Sequence, residues 1–240
     1  MKDIMSEEKH KNAQEYEWQE TLRWERSSRG RIKRIISERE QEKYYPGHRE
    51  GLTTNLNQFF LNDEKEWLKF AKSIENKNFL EIGGSYLGAS GLWNFIDKRH
   101  HIDPLLDRIH NHIEKIYEIN WYDDVELHSG PAEETIEELV GKIDGCIYMR
   151  NCLNHTKNPW KILDSISKYA TKGCTLLLWG EVTHPNGGDI GHSDVCQEPK
   201  EIETFLKDKG FKIIRNVVHG GPAGVVPLWG KDYGCVAVKE

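Results

Sequence analysis

From Asn78 onward, short apolar runs of strand length alternate with amphipathic stretches of helix length, and few folds are compatible with that alternation. The runs are NFLEI, RHHID, VELHS, IDGCIYMR, CTLLLWG, FKIIRNVV and YGCVAVK, and between most of them lie PLLDRIHNHIEKI, PAEETIEELV, PWKILDSISKYA and PKEIETFLKDK. A strand, a helix and a further strand in succession close as a right-handed crossover. The pattern therefore predicts an α/β fold, a Rossmann-like, doubly wound, seven-stranded sheet. Only the loop HGGPAGVVPLWGKD joins the last two runs, so the final strand is expected to be antiparallel beside its predecessor. In an open sheet of this kind a ligand lies beyond the carboxyl ends of the strands, which directs attention to the residues that follow each run.

Residues 1–76 follow a different rule. Charge is dense, glycine is sparse and tryptophans (Trp18, Trp24, Trp67) are interspersed, which marks a helical cap or appendage before a main domain at residues 77–240. One or two helices, broken near Ser27 to Gly30, are expected before Pro46 and Gly47 interrupt the pattern. A second helix follows at NDEKEWLKFAKSI, with Asp63 and Glu66 as a capping box. Its Trp67, Phe70, Ala71 and Ile74 form one apolar face, expected to pack on the main domain.

The net charge of −6, from 30% charged residues of mixed sign, supplies no basic field for nucleic acid. The longest strongly apolar stretch, TLLLW, is far too short to cross a bilayer, and MKDIMSEEKHK lacks the apolar centre of a signal peptide. A cytoplasmic location without nucleic-acid or membrane partners is expected. Cys146, Cys152, Cys174, Cys196 and Cys235 form no CxxC pair, so reduced, mostly structural thiols are expected.

The first run leads into FLEIGGSYLGASG, residues 79–91. Gly83 and Gly84 let the backbone turn sharply and approach a ligand closely. Glu81 sets a carboxylate at the strand end, an awkward neighbour for a pyrophosphate and an attractive one for an ammonium group. Ser85 stands where the G-x-G-x-x-G spacing of a dinucleotide site has its second glycine. Asp103, twenty positions beyond Gly83, ends the next strand, where a carboxylate can accept from both hydroxyls of a ribose. It can equally cap the helix that opens at Pro104.

These stretches, together with HIDPLLDRI, SGPAEE and IDGCIYMRNCLNHTKNPWKILDSISKYATKGCTLLLWGE, resemble successive motifs of the class I S-adenosylmethionine-dependent methyltransferases, in the type-11-like group. The resemblance spans residues 78–240, and its strongest piece is NCLNHTKNPWKIL. It implies S-adenosylmethionine as cofactor, with S-adenosylhomocysteine as product. It also implies that Glu81 holds the methionine ammonium, that Gly83, Gly84 and Ser85 pass beneath the ligand, and that Asp103 takes the ribose hydroxyls with Pro104 and Leu105 covering the adenine. Ala132 and Glu133 would meet the adenine edge and Asn151 the methionine end. An acidic pair at a helix start has a capping explanation as well.

Methyl transfer from a sulfonium is a direct displacement that needs alignment, exclusion of water and, for a hydroxyl acceptor, removal of a proton. His155 and His184 are the candidate bases, and Asn154, His192, Tyr45 and Trp229 the candidate acceptor contacts. A small-molecule acceptor is expected, methylated on oxygen rather than nitrogen, and a sugar or other biosynthetic intermediate would suit. His184, Asp189, His192 and Asp194 cluster in one long loop, but their spacing matches no structured metal motif and no metal is expected there. Two other classes stay open: a non-catalytic binding partner or regulatory protein for the same cofactor, permitted by the glycine loop's departure at Ser85, and an NAD(P)-dependent oxidoreductase. The N-terminal segment could pair with its copy in a homodimer.

Overall fold

The computed structural model describes residues 7–41, 64–84, 86–183, 198–219 and 231–240. The elements are α1 (Glu7–Gln41), α2 (Glu64–Ile74), β1 (Asn78–Ile82), α3 (Ala89–Leu92), β2 (Lys98–Asp103), α4 (Leu106–Tyr117), β3 (Val125–Ser129), β4 (Cys146–Arg150), α5 (Pro159–Tyr169), β5 (Thr175–Thr183), α6 (Pro199–Asp208), β6 (Phe211–His219) and β7 (Lys231–Lys239). All seven strands form one sheet in the order β3-β2-β1-β4-β5-β7-β6. The pairs among β1 to β5 are parallel, whereas β7 runs antiparallel to both β5 and β6, as the missing crossover helix requires. The order reverses direction between β1 and β4, which makes their carboxyl ends the switch point of the sheet.

Side chains alternate across a strand, and the sheet sorts them into two cores. On one face Phe79, Cys146, Tyr148, Leu177 and Trp179 pack with Leu106, Ile109 and Ile113 of α4, Trp67, Ala71 and Ile74 of α2, and Ile32 and Ile36 of α1. Trp93 is its centre, with ring centroids 4.8 Å from Phe79, 5.4 Å from Tyr148 and 5.7 Å from Trp67. The apolar face expected of α2 is therefore seated on the sheet; Asp63 of the expected capping box lies outside the described residues. On the opposite face Leu80, Ile82, Ile102, Ile147, Met149, Leu176 and Leu178 pack against Ile162, Leu163 and Ile166 of α5 and Ile202 and Leu206 of α6.

Two elements differ from expectation. No break interrupts α1 at Ser27 to Gly30: the Ser27 hydroxyl donates to the Trp24 carbonyl inside the helix, and Gly30 faces open space. A glycine in a helix costs about 1 kcal/mol, which burial of Ile32 and Ile36, two and six residues later, offsets. The second difference is PAEETIEELV, which makes no crossover helix and coils only as a 3-10 turn at Glu137–Leu139. Its polar groups bond to α5 and the loop before it: Ile136 N–H donates to the Tyr169 hydroxyl at 2.9 Å, Thr135 and Ser165 hydroxyls lie 3.0 Å apart, and the Glu133 carboxylate accepts from Lys157 N–H. Tertiary bonds displace local propensity here.

Charge as well as apolar contact holds α1 against the rest of the chain. Glu25, buried, accepts from Arg29 at 2.8 Å and from the Tyr117 hydroxyl of α4 at 2.7 Å, while Arg108 of α4 pairs with Glu15 at 2.9 Å and lies over the Trp18 ring. Ile32 and Ile36 of α1 are thus covered within the chain, whereas Tyr16 and Trp24 are exposed. Among the described residues no helix is long and apolar enough to cross a membrane.

Candidate functional site

A cavity of about 1080 Å³ opens at the switch point, beneath α1. Its floor is the turn after β1 (Gly83, Gly84), the end of β2 (Asp103, Pro104, Leu105), the segment after β3 (Pro131, Ala132, Glu133) and the end of β4 with its sequel (Arg150, Asn151, Cys152, His155). Every described residue proposed from the sequence for the cofactor lines this one space, and so does His155. Asn154 is buried one residue before His155, with its side-chain oxygen unpartnered, and is not among the cavity's lining residues. Ser85, Tyr45, His184, His192 and Trp229 lie outside the described residues, as does the loop that carries Asp189 and Asp194.

The glycines have a packing cause that the turn pattern alone does not reveal. A Cβ on Gly83, whose φ is +63°, would come within 2.5 Å of the Cys152 side chain, and one on Gly84 within 2.4 Å of the His101 ring. A Cβ on Gly88 would meet the Glu81 carboxylate at 2.7 Å. The turn is narrow because buried polar side chains of β1 and β2 rise into it. Glu81 accepts from Ala89 N–H at 2.9 Å and Ser90 N–H at 2.7 Å, Arg99 donates to the Ser90 carbonyl at 2.8 Å, and His101 Nδ1 lies 3.0 Å from the Ser90 hydroxyl. Glu81 reaches the cavity wall with both its oxygens already engaged by the turn, which braces the floor.

Asp103 is buried and accepts from Gly84 N–H at 3.1 Å and Leu105 N–H at 2.6 Å, one bond to each oxygen. Burial raises its carboxyl above the ordinary range, against the opposing pull of His101 and of the two amides. Each oxygen retains capacity for a further donor. The carboxylate thus caps the turn before α4 and presents an oriented acceptor, the two roles that the sequence allows it.

Glu133 takes the capping role in an unexpected place. Its carboxylate accepts from Lys157 N–H at 2.7 Å and Asn158 N–H at 3.2 Å, just before α5, and so ties the segment after β3 to the loop after β4. Asn151 stands in the left-handed region, φ +54°, with its N–H bonded to the Trp179 carbonyl at 2.7 Å. That strained position follows directly on β4, where functional residues concentrate. The Cys152 thiol donates to the Ile82 carbonyl at 3.2 Å, and burial raises it well above an ordinary thiol, so it is a structural group rather than a nucleophile.

A helical cap was expected from residues 1–76, but the residues of α1 that form the cavity's roof were not singled out from the sequence. Ala13, Gln14, Glu17, Glu20, Thr21, Trp24, Arg31, Arg34 and Ile35 of α1 line the cavity. Their spacing of three, four and seven residues is the signature of one helix face, and that periodicity, followed through polar as well as apolar positions, is the signal that finds them. Floor and roof meet where His155 Nδ1 lies 3.1 Å from a Glu17 carboxylate oxygen. This pairing gives the imidazole a fixed orientation at the mouth of the site.

No protein-family model and no curated protein matches the chain. Solved structures do match. The N-methyltransferase NodS from Bradyrhizobium japonicum WM9, in complex with S-adenosyl-L-homocysteine, superposes with a TM-score of 0.51 at 13% identity over 79% of this chain and 99% of that one. The cyclase SpnF gives 0.52 at 13% identity over 71% of this chain and 78% of that one. The trans-methyltransferase CalH, also in complex with S-adenosylhomocysteine, gives 0.52 at 15% over 72% of this chain and 54% of that one. At these identities the likeness is one of fold, shared by proteins of more than one activity.

Proposed function

We propose that the chain binds S-adenosylmethionine on the floor of the cavity and transfers its methyl group to a small molecule held between that floor and α1. The observation that carries this reading is the convergence of Gly83, Gly84, Asp103, Ala132, Glu133 and Asn151, drawn from four separate segments, on one space at the switch point. NodS and CalH, of the same fold, were crystallised with the product form of that cofactor. A volume of about 1080 Å³ is at the upper end of what single ligands occupy, in keeping with a cofactor and an acceptor together.

When bound, the cofactor supplies an electrophilic methyl carbon. The chain's residues do the rest by placement. Asp103, already oriented by two amides, accepts from the ribose hydroxyls, and Pro104 and Leu105 cover one face of the adenine. Ala132 offers its backbone N–H to the ring edge, and Glu133, fixed by the loop amides, lies beside it. Asn151 faces the methionine end. Glu81 acts as a positioning residue through Ala89 and Ser90. His155, held by Glu17, is the base for a hydroxyl acceptor, which favours oxygen over nitrogen as the methylated atom.

One titration tests this. Isothermal calorimetry of the full chain with S-adenosylmethionine, S-adenosylhomocysteine and NADH should give micromolar binding of the two sulfur ligands, weakened about ten- to hundredfold in Asp103→Ala, the loss expected for a charge-assisted hydrogen-bond pair. Folded protein that binds neither sulfur ligand overturns the proposal, and binding of NADH in their place would favour the oxidoreductase reading. A binding protein without transfer is the second reading, favoured by the engagement of both Glu81 oxygens within the turn. Saturable binding with no methyl transfer to any acceptor class would select it.

A further inference from the structure

Away from the cavity, on the aliphatic face of the sheet, three side chains meet at the β2–β3 edge. His100 and Glu126 are partners in the β2–β3 register, and His128 stands two residues beyond Glu126, so all three project from the same side of two adjacent strands. His100 Nδ1 lies 3.3 Å from one Glu126 oxygen and His128 Nε2 3.6 Å from the other. The rings are near-parallel with centroids 5.9 Å apart, and one ligand atom from each residue lies within 4.8 Å of the other two.

Why these groups face one another follows from the fold. Among the described residues the stretch after β3 makes no crossover helix and coils only as a 3-10 turn at Glu137–Leu139. Both ring nitrogens are shielded from solvent and have no hydrogen-bond partner, while Glu126 is 60% exposed. Two unpartnered imidazole nitrogens aimed at one carboxylate, with an open side toward water, make an unsatisfied polar cluster. A cation completes it.

We propose that His100, Glu126 and His128 form a binding site for a divalent transition-metal ion, zinc by its ligand chemistry. Two neutral imidazoles and a carboxylate are a nitrogen–oxygen donor set suited to zinc and unsuited to magnesium or calcium, which take oxygen. A tetrahedral ion with bonds of about 2.0–2.1 Å holds its ligand atoms about 3.3–3.4 Å apart. The two contacts to Glu126 are near that spacing, and small side-chain rotations bring the histidines to it. Water takes the fourth position on the exposed side. The ion would staple the edge strand β3 to β2, the strand that ends in Asp103.

Zinc uptake by the full chain, stripped with a chelator and titrated against a chromophoric zinc indicator, tests the site. One equivalent is expected to bind, with affinity reduced more than tenfold in Glu126→Gln and in His128→Ala. It should be unchanged in His184→Ala/His192→Ala, which removes the other histidine-bearing loop from consideration. Glu126 is exposed, so its substitution leaves packing intact. Nitrogen NMR of the histidine rings in the unmutated protein gives an independent readout, since zinc should move His100 Nδ1 and His128 Nε2 and leave His110 in place. The proposal is overturned by protein that takes up no zinc, by Glu126→Gln and His128→Ala variants that bind it as tightly as the parent, or by ring signals that do not respond.

Discussion

The two faces of the sheet solve the same burial problem with different chemistry. One face buries aromatic rings around Trp93 together with the polar set Glu81, Arg99, His101 and Asp103; the other is mainly aliphatic from β1 to β5, has Tyr169, Phe211 and Tyr233 toward α5, β6 and β7, and carries His100, Glu126 and His128 at its β3 edge. Alternation along β2 produces the contrast directly, because Arg99, His101 and Asp103 point one way while His100 and Ile102 point the other. Buried polar groups need partners, and on the first face the backbone of the glycine turn supplies them. The difference teaches where a site can be built. On the first face the polar residues that hold a loop in place also present a fixed acceptor, Asp103, to the cavity.

The largest effect should come from breaking the aromatic face at its centre. Trp93→Ala removes a fully buried indole that touches rings from β1, β4 and α2, and should cost about 3–5 kcal/mol in urea denaturation. A smaller loss would mean that α1 and α2 collapse onto the sheet without it.

Next in size is a test of the polar set. Gly84→Ala places a methyl group against the His101 ring, which its bond to Ser90 holds in place, and should cost about 1–3 kcal/mol. His101→Ala in the same chain should restore part of that loss, with a coupling energy of about 0.5–3 kcal/mol by double-mutant cycle. Strict additivity would mean that the glycine serves a ligand and not the histidine.

The smallest effect belongs to the aliphatic face, where charges sit only at the rim. Asp164 of α5 accepts from Lys209 and from Lys168, and these bonds hold its carboxyl below the ordinary range. A lowered folded value means that the stabilisation is present above the unfolded carboxyl value and fades as pH falls through the folded one. Asp164→Asn should therefore lose up to about 1 kcal/mol at neutral pH, allowing for partial exposure of the pair, and almost nothing at a pH below the lowered folded value. Denaturation curves at the two pH values check the difference.

The strands were legible because apolar runs with short flanks have few other interpretations, and the antiparallel β7 was legible because fourteen residues of glycine- and proline-rich loop cannot make a crossover. The stretch at residues 131–140 was misread because the side chains that decide it, Glu133 and Thr135, find their partners more than twenty residues away. The capping bond of Asp103 to Leu105 was legible. That Gly83 and Gly84 are fixed by Cys152 and His101 was not legible, since close packing between distant segments leaves no local pattern. The same limit hid which residues of α1 form the roof, since they are spaced for one face but span every chemical type.

The ties of α1 also set a timetable for synthesis. Glu15 and Glu25 bond to Arg108 and Tyr117, partners 93 and 92 residues further along the chain. At about 5–20 residues per second, α1 leaves the ribosome about 5–20 seconds before the surface it will cover. Through that interval its 35 residues must stay dissolved with Ile32 and Ile36 uncovered, and the dense glutamate, lysine and arginine of the segment keep an unpartnered helix from sticking to other nascent chains.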